Sequence, residues 1–326
     1  RDQECSVTVA KPVLRSHPLL EAAGLKLDYK AALRLTYSVS DDALRARARE
    51  MRGMKAGKPG VLSGRRVVAA VDGGRVQIRR RTAGRPRKGG RKHFVNEWRE
   101  PKILTIYVLN DQGRRDRSVP SIIDGTLGDA DDVFDLLRYY LRKHGAHQAQ
   151  ELTLIGDGAE WIWKRAQPLR ADLKVPAARF REVVDYYHVV ERLGELSKAQ
   201  PGWDEPTRLS WIHEQKARLK VGDIEAIEGS VSNMTSLPTS KADNDAAFWD
   251  RNRERLRYGA FRAAQIPIGS GAVESSVRRV INLRMKGASV TWTEEHAEGM
   301  LHLRAHAKSG RWSELEAAML RITGWR

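Results

Sequence analysis

Two stretches constrain the fold of this 326-residue chain more than any others: "RRVVAAVD" (65–72) and "ELTLIGDG" (151–158). Each is a nearly unbroken apolar run that stops at a lone aspartate. A strand that alternates apolar and polar residues buries one face, whereas one that is apolar throughout must be covered on both. Two such runs predict central strands of an α/β sheet with helices packed on each side. They also pose a chemical question, because an acid at the end of a buried strand is costly unless something needs its charge.

The segments around them fit that architecture. "GRVQIRR" alternates as a half-buried strand should, and "KILTIYVLN" (102–110) is rich in β-branched residues. In "DADDVFDLLRYYLRKHG", Val133, Leu137, Tyr140 and Leu141 fall on one helical face. Acids open that helix, and Arg142, Lys143, His144 and Gly145 close it, as the helix dipole and C-cap preferences ask. "AEWIWKRAQPLRADL" reads as the next helix, with Trp161 and Trp163 turned to the sheet, and "FREVVDYYHVV" as a strand passing into a helix. The pattern from about 190 to 260 is helical and polar. The tail after "IPIGSG" is helical, basic and interrupted at Trp292. This divides the chain into a helical segment (1–60), a core bearing both aspartates (61–190), an all-helical insertion (191–262) and C-terminal helices that complete the core (263–326).

Composition narrows the partners. Lys and Arg outnumber Asp and Glu by 58 to 41, a net charge of +17 that attracts polyanions over long range. Nucleic acid is the expected partner ahead of an anionic membrane, because no strongly apolar amphipathic helix accompanies the charge, and no apolar run approaches the roughly 18 residues of a span. The opening "RDQECSVTVAKPV" has no signal-peptide core and reads as a trimmed N-terminus. With Cys5 alone there is no internal disulfide, in keeping with a cytoplasmic protein.

Three acids stand out, each with a plain structural alternative. Asp72 in "VDGGRV" suits a tight hairpin turn. Asp157 suits the N-cap of the following helix. Glu274 in "IPIGSGAVESSVRRV" suits a capping box or an i,i+4 ion pair with Arg278. Adjacent parallel strands would instead bring Asp72 and Asp157 side by side, about 4.8 Å apart, on the sheet edge where α/β proteins hold ligands. A third acid on a covering helix would complete a cluster suited to Mg²⁺ or Mn²⁺. Two such ions serve phosphodiester chemistry.

"VDGGRV", "EWREPKILTIY", "IGDGAEWIW", "VDYYHVVERL" and "IPIGSGAVESSVRRVINLRMKGASVTW" occur in an order that resembles the DDE transposases of bacterial insertion sequences, in particular the Kra-type group of the Mutator-like superfamily. The resemblance covers roughly residues 65–326. It implies an RNase H-like core, a mixed five-stranded sheet flanked by helices with a helical insertion before the last acid. It further implies Asp72, Asp157 and Glu274 as catalytic and metal-binding residues, two Mg²⁺ or Mn²⁺ ions, DNA as substrate, and a homodimer or larger assembly when two DNA ends are synapsed. Asp185 and His188 match its accessory Asp-x-x-His signature. Ser276-Val277-Arg278 and "GASVTW" depart from the family's usual Cys-Lys and Gly-Met-Arg-Trp stretches.

The expected activity is hydrolysis at transposon ends and transfer of the 3′-OH into target DNA. The alternatives are a structure-specific RNase H-like nuclease and a non-catalytic DNA-binding derivative. Candidate DNA contacts are Arg79, Arg80, Arg81, Arg85, Arg87, Lys88, Arg91 and Lys92 in "RRRTAGRPRKGGRK", whose "GRPRK" resembles an AT-hook core, and Arg278, Arg279, Arg284 and Lys286 after the glutamate. Ordinary solvated loop and helix charges are the alternative for all of them. Trp292 and Trp312 are candidates for stacking on bases or for core packing.

Overall fold

The structure is a computed structural model that describes residues 28–54, 58–82, 93–234, 247–287 and 290–323. The basic residues Arg85, Arg87, Lys88, Arg91 and Lys92, with the AT-hook-like segment, lie outside the described residues.

Five strands form the central sheet: β1 (Arg66–Gly73), β4 (Lys102–Leu109), β5 (Ile122–Thr126), β6 (Glu151–Gly156) and β7 (Phe180–Val184). Their order is β5-β4-β1-β6-β7. β1 pairs antiparallel with β4 and parallel with β6, and β7 continues the parallel side. β1 is buried from Val67 to Val71, as its unbroken apolar run requires. The sheet is mixed, flanked by helices, and compatible with an RNase H-like fold.

Strands β2 (Val76–Arg81) and β3 (Phe94–Arg99) form a separate two-stranded ribbon. This overturns the hairpin reading of Asp72-Gly73-Gly74, because β1 and β2 do not pair with each other. Gly73 still belongs to β1, and neither glycine has the positive φ that a type I′ turn demands. Gly74 is there for close approach: a Cβ would stand 2.5 Å from Ile281 Cδ1.

The helices follow local signals. α2 (Ala130–Lys143) begins with a capping box between Asp129 and Asp132 and buries Val133, Leu137, Tyr140 and Leu141. Gly145 beyond its end adopts the left-handed conformation (φ 82°). α2 packs against β4, β5 and α3 (Glu160–Asp172). Between β7 and the last acid run α4 (Tyr186–Ala199), α5 (Glu205–Val221), α6 (Ile224–Ser232) and α7 (Tyr258–Ala263). α8 (Gly271–Val277) crosses β1 and β4 and passes into a π-helical turn, Arg278–Asn282. α9 (Glu294–Ser309) lies on β5, and α1 (Tyr29–Arg52) packs against both α9 and α10 (Trp312–Thr323). Among the described residues no helix is long and apolar enough to cross a membrane.

Trp292 is core: it is 3% exposed, its indole N–H donates to the Met285 carbonyl, and its backbone bonds to Gln77 and Arg79 of β2. Trp163 is buried and Trp161 packs against the core, whereas Trp312 is partly exposed and donates to Glu316.

A buried ionic hub on β5 joins this shell to the sheet. Asp124 has no exposed surface and accepts from Tyr140 Oη (2.8 Å) and Arg47 (3.2 Å). His302 Nδ1 lies 2.9 Å from it. Burial opposes its charge, but His302 and Arg47 hold its carboxyl far below the usual carboxylate range. Removing one member of such a buried set strands the others' charge. Asp124→Ala should therefore cost about 3–5 kcal/mol, measured by urea denaturation.

Glu50 fastens α1 to α2 and α10 through Lys143 (2.6 Å) and Arg321 (2.7 Å), with Tyr139 Oη donating as well. Burial works against its charge, yet these partners lower its carboxyl to about 2. A lowered carboxylate contributes stability above its unfolded value of about 4.5 and loses it as pH falls through about 2. Glu50→Gln should be less stable than wild type at pH 7, and thermal melts should show the gap closing across that acid window.

Candidate functional site

The parallel register pairs Arg66 with Glu151 and Ala70 with Ile155. The same offset carried two residues further sets Asp72 level with Asp157 at the C-terminal ends of neighbouring strands. Asp72 is half-buried, and its Oδ1 accepts the Gly73 N–H at 2.7 Å. Asp157 is exposed and accepts from the Ala159 N–H at 2.9 Å. The cap of α3 is Ala159, with no side-chain capping bond, so Asp157 is not the N-cap that its position suggests. One short bond to a neighbouring amide leaves most of its acceptor capacity open.

Asp185 is the N-cap of α4. Its Oδ1 accepts the N–H groups of Tyr187 (2.6 Å) and His188 (3.0 Å), and its Oδ2 accepts the N–H of Ser270. That last bond ties α4 to the Gly-Ser-Gly turn before α8, 85 positions away in sequence. Burial opposes the charge of Asp185, but the bonds from His188 and Ser270 lower its carboxyl to about 2. The Ser270 hydroxyl meets Glu274 Oε1 at 3.2 Å, which orients the glutamate from α8. Ser276, two residues on, accepts from Thr105 of β4 at 2.9 Å and pins the helix to the sheet. Among the described residues Glu274 meets Ser270 and makes no ion pair with Arg278.

The acids act on one another. Burial raises the Asp72 carboxyl, and the charges of Asp157 and Glu274 raise it further, against the pull of the Gly73 N–H and His188. His188 Nδ1 lies 3.4 Å from Asp185 Oδ1, an ion pair without the alignment of a hydrogen bond. Asp185 beside it, with Asp157 and Asp72 further off, raises the imidazole above its usual value and favours the protonated ring.

The donor set suits a hard divalent ion. Asp185, His188 and Glu274 offer ligand atoms within 4.8 Å of one another, His188 Nδ1 is buried without a hydrogen bond, and Asp72 and Asp157 add carboxylate oxygen to the same edge. His188 would serve as a ligand only after losing its proton. Of the residues read from sequence, Glu274 stands with the accessory pair, and Asp72 lies near enough to Asp157 and Glu274 to feel their charge. What the sequence reading missed is Ser270, whose backbone and hydroxyl join Asp185 to Glu274. The quoted "GSG" was its only local signal.

The basic candidates divide. Arg79, Arg80 and Arg81 stand on β2, with Arg80 paired to Glu97 at 2.8 Å. Arg278 is exposed at the start of the π turn, whereas Arg279 turns to α8 and α9, donating to the Ser275 and Lys308 carbonyls. Arg284 and exposed Lys286 follow that turn. A hollow of about 520 Å³, lined by Arg65, Arg66, Asn110 and Asp116, lies at the opposite, N-terminal end of β1. The acids occupy an open edge instead, where a polymer has access.

Comparison with protein-family models, with curated proteins and with solved structures returned no match.

A cation test follows from these charges. Burial and the neighbouring acids raise the Asp72 carboxyl, so its charge opposes folding and Asp72→Asn should raise the melting temperature without metal. Mn²⁺ should raise the wild-type melting temperature by binding the folded state. It should raise that of Asp72→Asn or Glu274→Gln much less, read by differential scanning fluorimetry.

Proposed function

We propose that this chain is a DDE-type DNA transposase that hydrolyses phosphodiesters at transposon ends and joins the freed 3′-OH to target DNA. What supports the reading is that Asp72 and Asp157 close neighbouring parallel strands, and that the charges of Asp157 and Glu274 add to burial in raising the Asp72 carboxyl. Carboxylates gathered despite mutual repulsion, on a chain of net charge +17, fit a basic DNA-binding protein with an acidic centre for cutting.

Asp72, Asp157 and Glu274 would hold two divalent cations, with Asp185 and His188 beside them. Bound there, the ions supply activation of the nucleophile and stabilisation of charge on the leaving oxygen. The chain's own residues position the reactants. Asp185 fixes α4 against the turn that carries Ser270, and Ser270 orients Glu274. His188 and Asp185 keep one half-buried charge pair beside the reacting phosphate, while Arg278 and the arginines of β2 hold flanking phosphates. In the first step water attacks phosphorus, the P–O3′ bond breaks, and the 3′-OH leaves. In the second that hydroxyl attacks a target phosphodiester, one P–O bond forming as one breaks, so no external energy is required.

Asp157→Asn should abolish both cleavage and strand transfer on end-containing DNA while leaving affinity for that DNA largely unchanged. Cleavage retained in that variant refutes the assignment. Cleavage by wild type without joined products supports the nuclease reading instead. DNA affinity should fall steeply with salt, as phosphate-dominated binding does.

A further inference from the structure

The ribbon of β2 and β3 leaves the sheet immediately after Asp72. Its register pairs Gln77 with Trp98, Arg79 with Asn96 and Arg81 with Phe94. Side chains alternate along a strand, so these six residues share one face. The other face carries Val76 and Ile78, which are buried against the body, and the Arg80–Glu97 ion pair. Toward the tip Val95 on this face is 50% exposed, so the ribbon is seated by one face near its foot and open along the other. Backbone bonds from Trp292 to Gln77 and Arg79 hold it at its foot, and Arg99 donates to the Leu127 carbonyl.

The open face has an unusual composition for a solvated surface. Phe94 is 50% exposed and Trp98 is 52% exposed. The Arg79 guanidinium lies over the Phe94 ring, 5.2 Å from its centre, and Arg81 and Asn96 are exposed beside it. Flat rings with arginines and side-chain amides between them match what an unpaired nucleic-acid strand presents: base faces to stack, phosphates to neutralise, and base edges to hydrogen-bond. A duplex offers the arginines and amides equal opportunities in its major groove. It offers the rings almost nothing, because base faces are hidden in the stack. The two rings decide between these forms. Four residues apart on β3, they stand about 14 Å from each other, far enough to stack on separate bases of one strand.

We infer that the open face of this ribbon binds unpaired bases of the DNA strand whose backbone enters the acidic edge. The inference rests on the proposed DNA substrate and deepens it: the strand next to the reacting phosphate is held single-stranded by Trp98 and Phe94. Only three residues lie between Asp72 and Val76 at the foot of β2, so the stacking face and the acids meet one strand without rearrangement of the fold.

The test is fluorescence anisotropy with the full chain, a labelled oligothymidylate and a blunt duplex of equal length. Trp98→Ala and Phe94→Ala should each weaken single-strand binding about tenfold and change duplex binding by less than about twofold. Trp98→Phe should restore most of the loss, since a ring is all that stacking requires. Duplex affinity also reports that each variant is folded. Equal losses on both DNAs, or no loss on the single strand, overturn the stacking role while leaving the DNA substrate intact. Wild type that binds neither DNA overturns both readings. Variants that lose only self-association in sedimentation, with single-strand affinity unchanged, make the face a contact between copies of the chain and overturn the inference.

Discussion

β1 is hydrogen-bonded on one side to antiparallel β4 and on the other to parallel β6, and the second pairing decides what the sheet edge presents. Parallel neighbours end at the same edge, so the aspartates that terminate two buried runs arrive together. An antiparallel pairing of the same two strands would have sent them to opposite edges. The pairing also explains why the runs are apolar throughout. A strand flanked by β4 and β6 and covered on both faces has no solvent-facing row to spare for polar side chains.

Fixing two acids at an edge is not enough to build a site, because Glu274 arrives from the far side of a long helical excursion. Asp185 solves that placement. One buried carboxylate caps α4 and receives the Ser270 N–H, so the start of the excursion and its end are joined through a single side chain. Ser270 then reaches Glu274, and Ser276 reaches Thr105 on β4. Asp124 plays the corresponding structural part on β5, where it gathers Arg47, Tyr140 and His302 from three helices. The two buried aspartates differ in surroundings. Asp124 is saturated by partners within the fold, whereas the Asp185–His188 pair keeps an imidazole nitrogen without a hydrogen bond beside further carboxylates.

Much of the architecture was legible in the chain because its signals are local and strong. The unbroken run before Asp72, the capping acids of α2 and the passage from strand to helix at Asp185 each report their own environment. The misleading signals were also local. Asp72-Gly73-Gly74 has the composition of a tight turn, yet Gly73 completes β1 and Gly74 makes room for Ile281 from a helix some 200 residues further on. Asp157 has the composition of a cap, yet the helix begins two residues later from Ala159. In both cases short-range propensity was outweighed by a demand from a distant segment. Phe94 and Trp98 were equally hidden, since an aromatic in an alternating strand has no mark that separates a core residue from an exposed one.

The sequence by itself determined the class of fold, the central position of β1, the helical excursion after the sheet, and the excess of positive charge. Those follow from hydrophobic period, helix-end chemistry and composition, which each segment carries wherever it is placed. Only the tertiary structure decided that Asp72, Asp157, Glu274, Asp185 and His188 share one edge, that β2 and β3 stand apart as a ribbon, and which tryptophans face solvent. Those outcomes depend on register and on contacts between residues far apart in the chain. The energy of such contacts comes from burial and from mutual charge, neither of which exists until the segments meet.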